Sequence, residues 1–342
     1  SSDMHTHDLH EGRFGLTPEM FFRQLEADDV RVANALIHMD GTKIMGQSEN
    51  LTGEPYEMSG EERILYYTQE FRGSYGHVAL LGLQRFIMPF IGGARGTPYA
   101  PDVLKLAHID AAYNQGGIAG FVHPYNGPVD TPQRAATADI PVHVALGRGD
   151  FFDVVSIASL EMESTEMYYR LLNCGFRLAA TGGTDNFSDV WLDPSGGTAR
   201  TYVHVDGAPP LTFSGWLDGV REKKTFGTNG PLLFLNVGHG RLSSEAMLEP
   251  GEEFALENTD DTTFDISLAV ASLAPLDHVE IIVNGSVAHT WGKADLVGYN
   301  PNEVWNLSTT IEFPGSGWIA ARASGPPSEY VGDAFPFAAT SP

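Results

Sequence analysis

The sequence predicts an α/β domain over residues 1–231 followed by a small antiparallel β-sandwich over 232–342, and three observations carry that expectation. Up to Pro231, short β-prone runs alternate with helical stretches and glycine turns. Beyond it, five or more strand-like runs follow one another with no helical window between them. The chain has 342 residues, 42% of them hydrophobic and 19% charged, which is enough to build more than one buried core and too apolar for a disordered chain.

In the first part, strand-like runs fall at 30–37, 77–83, 117–122, 153–158, 178–180 and 201–205. Helix-like apolar spacing covers 17–28, 101–114, 163–173 and 213–224. Thr17-Pro18-Glu19 and Ala100-Pro101-Asp102 read as helix starts with proline in the first turn. Gly175 follows the third helical stretch as a C-terminal glycine cap. In the second part, 232–237, 263–270, 278–283, 304–313 and 317–323 are β-rich, and Asn284-Gly285 marks a two-residue hairpin.

Composition narrows the function. Twenty Lys and Arg against 44 Asp and Glu give a net charge of −24, which repels phosphate backbones and anionic lipid headgroups. The expectation is therefore a small-molecule substrate, no nucleic acid and no membrane insertion. The longest apolar stretch, 78–91, is interrupted by Gln84 and Arg85 and is shorter than the ~20 residues of a membrane helix. A single cysteine, Cys174, excludes an internal disulfide and a thiolate zinc site. The start at Ser1, without an initiator Met, reads as a processed product. With the acidic, lysine-poor surface, that fits an exported, periplasmic or secreted bacterial protein.

Several polar residues sit where a predicted strand ends, the position at which α/β barrels expose functional groups. His5 and His7 flank one residue, so on a strand both point to the same face and can share a metal ion; a polar strand edge is the plainer alternative. Asp3 precedes them on that face. Glu70 closes the run 64–70 and His77 opens the next after a turn, which brings a carboxylate and an imidazole to one end of a sheet, or leaves a surface acid and a buried histidine. His123-Pro124 ends a glycine-rich strand. Asp185 stands on the turn after Thr181-Gly182-Gly183-Thr184, either as a ligand or as an ordinary turn residue.

Taken in order, this is His-x-His, then Glu and His, then His-Pro, then Asp, each at the end of a predicted strand. In that order, and in Asp3-Met4-His5-Thr6-His7, Gly76-His77-Val78-Ala79-Leu80-Leu81-Gly82-Leu83, Phe121-Val122-His123-Pro124, Gly183-Thr184-Asp185 and Lys224-Thr225-Phe226-Gly227-Thr228-Asn229-Gly230-Pro231, the chain resembles the PHP (polymerase and histidinol phosphatase) superfamily. More narrowly it is similar to the carbaryl-hydrolase-like, CehA/McbA-type branch of metallohydrolases. The resemblance implies a distorted (β/α)7 barrel with a metal centre at the carboxyl ends of its strands. It implies His5, His7, Glu70, His77, His123 and Asp185 as ligands, with Glu70 bridging ions. The sequence departs from the family in two places. Ile37-His38-Met39-Asp40 reverses the usual Asp-His order, leaving His38 as a further candidate, and Phe187 stands where a final His is usual. The loss of that His favours one or two ions.

Glu161 and Arg200 are candidates for an additional ligand or substrate contact, although a helix-terminal acid and a structural arginine fit them as well. His10 and Glu11, in the loop after the first strand, are weaker candidates. Imidazoles and carboxylates suit zinc first, with manganese or iron as alternatives. A metal-bound water has its pKa lowered from about 15.7 to about 7, so hydrolysis is the natural reaction, with Asp185 and Glu70 as the catalytic carboxylates. The branch resemblance implies a carbamate, ester or amide bond. A PHP-type phosphoesterase, which needs arginines such as Arg72, Arg95, Arg148 or Arg200 at the metals, and a non-catalytic binding protein with a degenerate barrel are the alternatives.

Overall fold

A computed structural model describes residues 1–10, 15–40, 43–73, 75–91, 105–125, 139–190, 193–207, 210–240, 247–255, 262–296, 303–313 and 315–342. Glu11, Arg95 and the start of the helix expected over 101–114 lie outside them.

The chain forms β1 (Ser2–Thr6), α1 (Pro18–Ala27), β2 (Val32–Asp40), β3 (Lys43–Met45), β4 (Ile64–Gly73), β5 (Gly76–Leu81), α2 (Leu106–Tyr113), β6 (Ile118–Phe121), α3 (Ile140–Ala145), β7 (Phe151–Val155), α4 (Glu161–Asn173), β8 (Ala179–Gly182), β9 (Arg200–Val203), α5 (Phe213–Arg221) and β10 (Thr225–Thr228). Seven further strands follow: β11 (Leu232–His239), β12 (Thr263–Ala271), β13 (His278–Val283), β14 (Ser286–Gly292), β15 (Trp305–Glu312), β16 (Ile319–Ser324) and β17 (Phe337–Thr340).

Local chemistry explains the helix starts. The Thr17 hydroxyl accepts from Met20 N ahead of Pro18, and Thr212 accepts from Gly215 N at the head of α5. On α1 the spacing of Phe21, Phe22 and Leu25 makes one buried stripe on the sheet, each side chain worth roughly 1.5–3 kcal/mol of burial.

One mixed sheet dominates, in the order β14-β13-β16-β17-β10-β9-β1-β2-β4-β5-β6-β7-β8, with β3 on β2. β1, β2 and β4 run parallel, as do β6, β7 and β8, while β4-β5 is an antiparallel hairpin. The sheet curls so that β8 returns to β9 and β10. There the Thr201 hydroxyl donates to Gly182 O and accepts from Gly182 N, and the Thr225 hydroxyl donates to Ala180 O. Gly227 sits at this seam with Thr181 O where a Cβ would stand.

A second sheet, β11-β12-β15, lies over the β13-β16 part of the first. Leu235, Ile266, Leu268, Val279, Ile281 and Ala321 fill the space between them, and β12 alternates buried and exposed residues with period two.

Hydrogen bonding does not stop at residue 231. β17 pairs with β10 through Phe226↔Thr340 and Thr228↔Ala338, so the end of the chain lies in the same sheet as its beginning. Four elements have no counterpart in the sequence reading: β3, α3, β10 and β17, each of three to six residues. Segments that short do not complete a periodic pattern. β7 begins at Phe151 and α4 at Glu161, each two residues ahead of expectation. No helix among the described residues is long and apolar enough to cross a membrane.

Candidate metal centre

The end of β1, the β4-β5 hairpin, and the ends of β6 and β8 converge at one edge of the curled sheet. Glu70 and Arg72 are two apart on β4 and share a face; His77 on β5 pairs in register with Arg72. His123 follows β6 with φ 31° and Asp185 follows β8 with φ 57°. A left-handed backbone at non-glycine residues is strained, and such strain gathers where a side chain must be aimed. Gly183 allows the approach of β8 to β1, because a Cβ there would lie 2.7 Å from His5 Cβ.

His5 Nε2 lies 3.0 Å from His7 Nε2 and 3.1 Å from Asp185 Oδ1. His7 Nε2 is 3.3 Å from the same Oδ1 and 3.6 Å from Glu70 Oε2. On the other side, His123 Nε2 stands 3.5 Å from Glu70 Oε1 and 3.6 Å from Asp185 Oδ2, and His77 Nδ1 is 2.6 Å from Glu70 Oε1. The donors therefore fall into overlapping groups, His5-His7-Glu70, His5-His123-Asp185 and Glu70-His77-His123. Glu70 and Asp185 each present one oxygen to either side.

Donors bound at 2.0–2.1 Å around a tetrahedral ion sit about 3.3 Å apart. The spacings around His5, His7 and Asp185 match that figure. His123 Nε2 and Asp185 Oδ1 are buried and make no hydrogen bond, an arrangement costly for polar atoms unless their lone pairs are otherwise used. The donor set fits a divalent metal, and its mixture of imidazole and carboxylate does not choose among zinc, manganese and iron.

The electrostatics agree. Burial opposes it, but Arg72, His77 and His5 hold Glu70 well below the usual carboxylate range. Burial likewise opposes the shift of Asp185, which His5 and His123 depress far further than they need to keep it ionised at neutral pH. Burial disfavours a charged His5, yet Asp185 and Glu70 push it up to about 9, so a cation entering here displaces a proton. Burial, helped by the His123 and Arg72 charges, takes His77 down to about 4 against the pull of Glu70, and burial with the His5 charge lowers His7 against Asp185 and Glu70, leaving neutral imidazoles ready to ligate. The His7 Nδ1–H donates to Leu36 O at 2.7 Å, which turns Nε2 into the cluster.

The remaining candidates lie elsewhere. His38 is fully buried beside His7, 3.1 Å between Nδ1 atoms, and outside the three donor groups; burial and the neighbouring His7 push it down to about 2. Glu161 opens α4 and faces Asp333, outside the three donor groups; burial and that second carboxyl raise it to about 8. Arg200 spends its guanidinium on the carbonyls of Gly197, Asp28 and Asp29, away from the three donor groups. Asp3 turns away from the cluster. Its carboxylate accepts from His5 N, Thr184 N, the Thr184 hydroxyl and Gly197 N, tying β1 to the Asp185 turn. Phe187 covers His7 and His10, with ring centroids at 5.1 and 4.0 Å. Sequence reasoning did not foresee Asp3 as a brace, and it considered Arg72 only as a phosphate partner, whereas its Nε donates to Glu70 Oε2 at 2.8 Å. The i,i+2 spacing of Glu70 and Arg72 was the available signal.

The fold and this cluster together define a mixed α/β protein with a His/carboxylate metal-type centre at the edge of its main sheet. No protein-family model matches the chain, and no curated protein matches it. Among solved structures, it is similar to a two-domain protein containing a predicted PHP-like metal-dependent phosphoesterase from Bacteroides vulgatus, at 11% identity and TM-score 0.43, over 100% of this chain and 94% of that one. It is also similar to Endonuclease Q in complex with a 27-mer duplex substrate bearing an abasic lesion at the active site, at 10% identity and TM-score 0.39, over 64% of this chain. The chain spans 56% of the length of Endonuclease Q. The exclusion of nucleic acid drawn from net charge does not extend to the site. A charge of −24 spread over the whole surface is screened beyond about 8 Å at physiological salt, whereas the local field is set by Arg72 and the donors around it.

Proposed function

We propose that the chain is a PHP-type metal-dependent hydrolase, with a distorted barrel over 1–231, an accessory β-sandwich over 232–342, and one or two divalent ions, zinc first, held by His5, His7, Glu70, His77, His123 and Asp185. The observation that carries this reading is the spacing of His5, His7 and Asp185 donors at 3.0–3.3 Å about a common point, with Glu70 and His123 completing a second group. A divalent ion held there supplies a water-derived nucleophile near neutral pH and polarises the bond under attack.

The chain's own residues do the rest. Glu70, wholly buried, joins the two donor groups. Asp185 is the more open carboxylate, 13% exposed, and is the group placed to take the proton of the attacking water. The Phe187 ring gives the centre an apolar wall. Of the arginines considered for phosphate, Arg148 pairs with Asp110 and Arg200 is held by backbone carbonyls, which leaves Arg72 alone at the centre among the described residues. A small molecule with a carbamate, ester or amide bond is the substrate this favours.

The test is hydrolysis of matched aryl carbamate, aryl ester and aryl phosphate by protein stripped with chelator and then reloaded. The expected result is loss of at least about 100-fold on stripping, recovery on reloading, and faster turnover of the acyl substrates. Equal rates with and without metal would contradict the reading.

A further inference from the structure

Three buried polar atoms behind the cluster have no hydrogen-bond partner among the described residues. His5 and His123 turn their Nε2 atoms toward Asp185 and Glu70, and the two rings stand 5.3 Å apart between centroids at an angle of 35°. Their Nδ1 atoms therefore face away from the donor groups, and both are buried and unpartnered. The third atom is Asp153 Oδ2, which is buried and unpartnered as well.

Asp153 lies on β7, the strand between β6 and β8, in register with Thr181. The Thr181 hydroxyl donates to Asp153 Oδ1 at 2.7 Å, which fixes the carboxylate and leaves Oδ2 over. Gly183 locates that oxygen: a Cβ added there would lie 2.7 Å from His5 Cβ and 3.4 Å from Asp153 Oδ2. The carboxyl also feels both rings. Burial pushes it up to about 7, with Asp3 adding to the rise, while Thr181, His5 and His123 hold it back.

A neutral imidazole that ligates through Nε2 carries its proton on Nδ1, and that N–H needs an acceptor. No hydrogen bond joins Asp153 Oδ2 directly to either ring. A buried water needs two to four polar partners, and three orphaned atoms meet that requirement: the water accepts from two N–H groups and donates to one carboxylate oxygen. We propose that Asp153 is a positioning residue of the metal centre, receiving the Nδ1–H groups of His5 and His123 through one buried water and so fixing the tautomer that presents both Nε2 atoms to the ion. This deepens the hydrolase reading and rests on it for the ion.

The test uses the full chain in wild-type, D153A and D153N forms. Zinc affinity is measured by competition with a chromogenic chelator, and exchange of histidine ring N–H protons is followed by proton–nitrogen NMR in metal-free and zinc-loaded protein. The expected result is zinc affinity at least about tenfold weaker in D153A, with D153N between it and wild type. Two ring protons that exchange slowly in wild type should exchange fast in D153A, while the His7 Nδ1–H held by Leu36 O persists. A purely structural Asp153 does not single out two ring protons. Should D153A fail to fold, the isosteric D153N carries both readouts. Equal zinc affinity in wild type and variant, or ring protons whose exchange ignores the substitution, would each overturn the proposal. A wild-type chain that takes up no zinc sinks the hydrolase reading instead, and ring protons that still depend on Asp153 in the metal-free protein then support its hold on the two imidazoles.

Discussion

Asp3 and Glu161 are both acids buried below one-tenth exposure, and the chain uses them in opposite ways. Asp3 collects four donors and fixes the Asp185 turn against β1. Asp3→Ala is therefore expected to lower metal affinity by about 10–100-fold although Asp3 is not itself a donor, as a competition titration against a chromogenic chelator will show. An unchanged affinity would remove Asp3 from the account. Glu70→Gln is expected to reduce metal content more than His77→Ala, because Glu70 belongs to two donor groups and His77 to one. Glu161 is raised to about 8 by burial and by Asp333, against about 4.3 in an unfolded chain. The folded state thus holds this proton more tightly, a stabilisation that is complete below about pH 4.3 and lost as pH rises through about 8. The melting temperature of wild type should fall relative to Glu161→Gln between about pH 5 and 8, and parallel curves would show that the carboxyl is not perturbed.

At the scale of elements, the curl of the sheet depends on strands that meet without room for side chains. Gly227→Ala places a Cβ against Thr181 O and is expected to destabilise the fold by about 1–3 kcal/mol in urea unfolding, whereas an unchanged midpoint would mean the seam is loose. Strands with full hydrophobic patterns, such as β2, β12 and β13, were legible in the sequence because five or more residues complete the alternation or the buried run. β10 and β17 were not: TFGT and FAAT carry no pattern of their own and become strands by pairing with each other and with β9 and β16 on either side. The same distinction runs through the site. His5, His7, Glu70, His77, His123 and Asp185 could be picked out because each lay beside the end of a predicted strand, although β4 runs past Glu70 to Gly73. Glu161 satisfied the same positional rule yet faces Asp333, since strand order says nothing about which carboxyl arrives alongside.

For the whole molecule, the two sheets are bound by more than the linker. Phe337 and Ala339 of β17 and Ile282 of β13 belong to the core that also holds β2, β4 and α4, and the Ser341 hydroxyl accepts from Ala180 N. A chain truncated after 231 is expected to lose cooperative unfolding and to expose apolar surface to a hydrophobic dye. A sharp, wild-type-like transition would make the first part self-sufficient. The central claim, that side chains from four parts of the sheet converge to hold divalent metal, is tested most directly by anomalous diffraction from crystals of the zinc-loaded protein. The account predicts density within about 2.0–2.2 Å of His5 Nε2, His7 Nε2 and a carboxylate oxygen of Asp185 or Glu70. A fully loaded crystal whose zinc lies only on surface carboxylates, with these imidazoles bare, would contradict it.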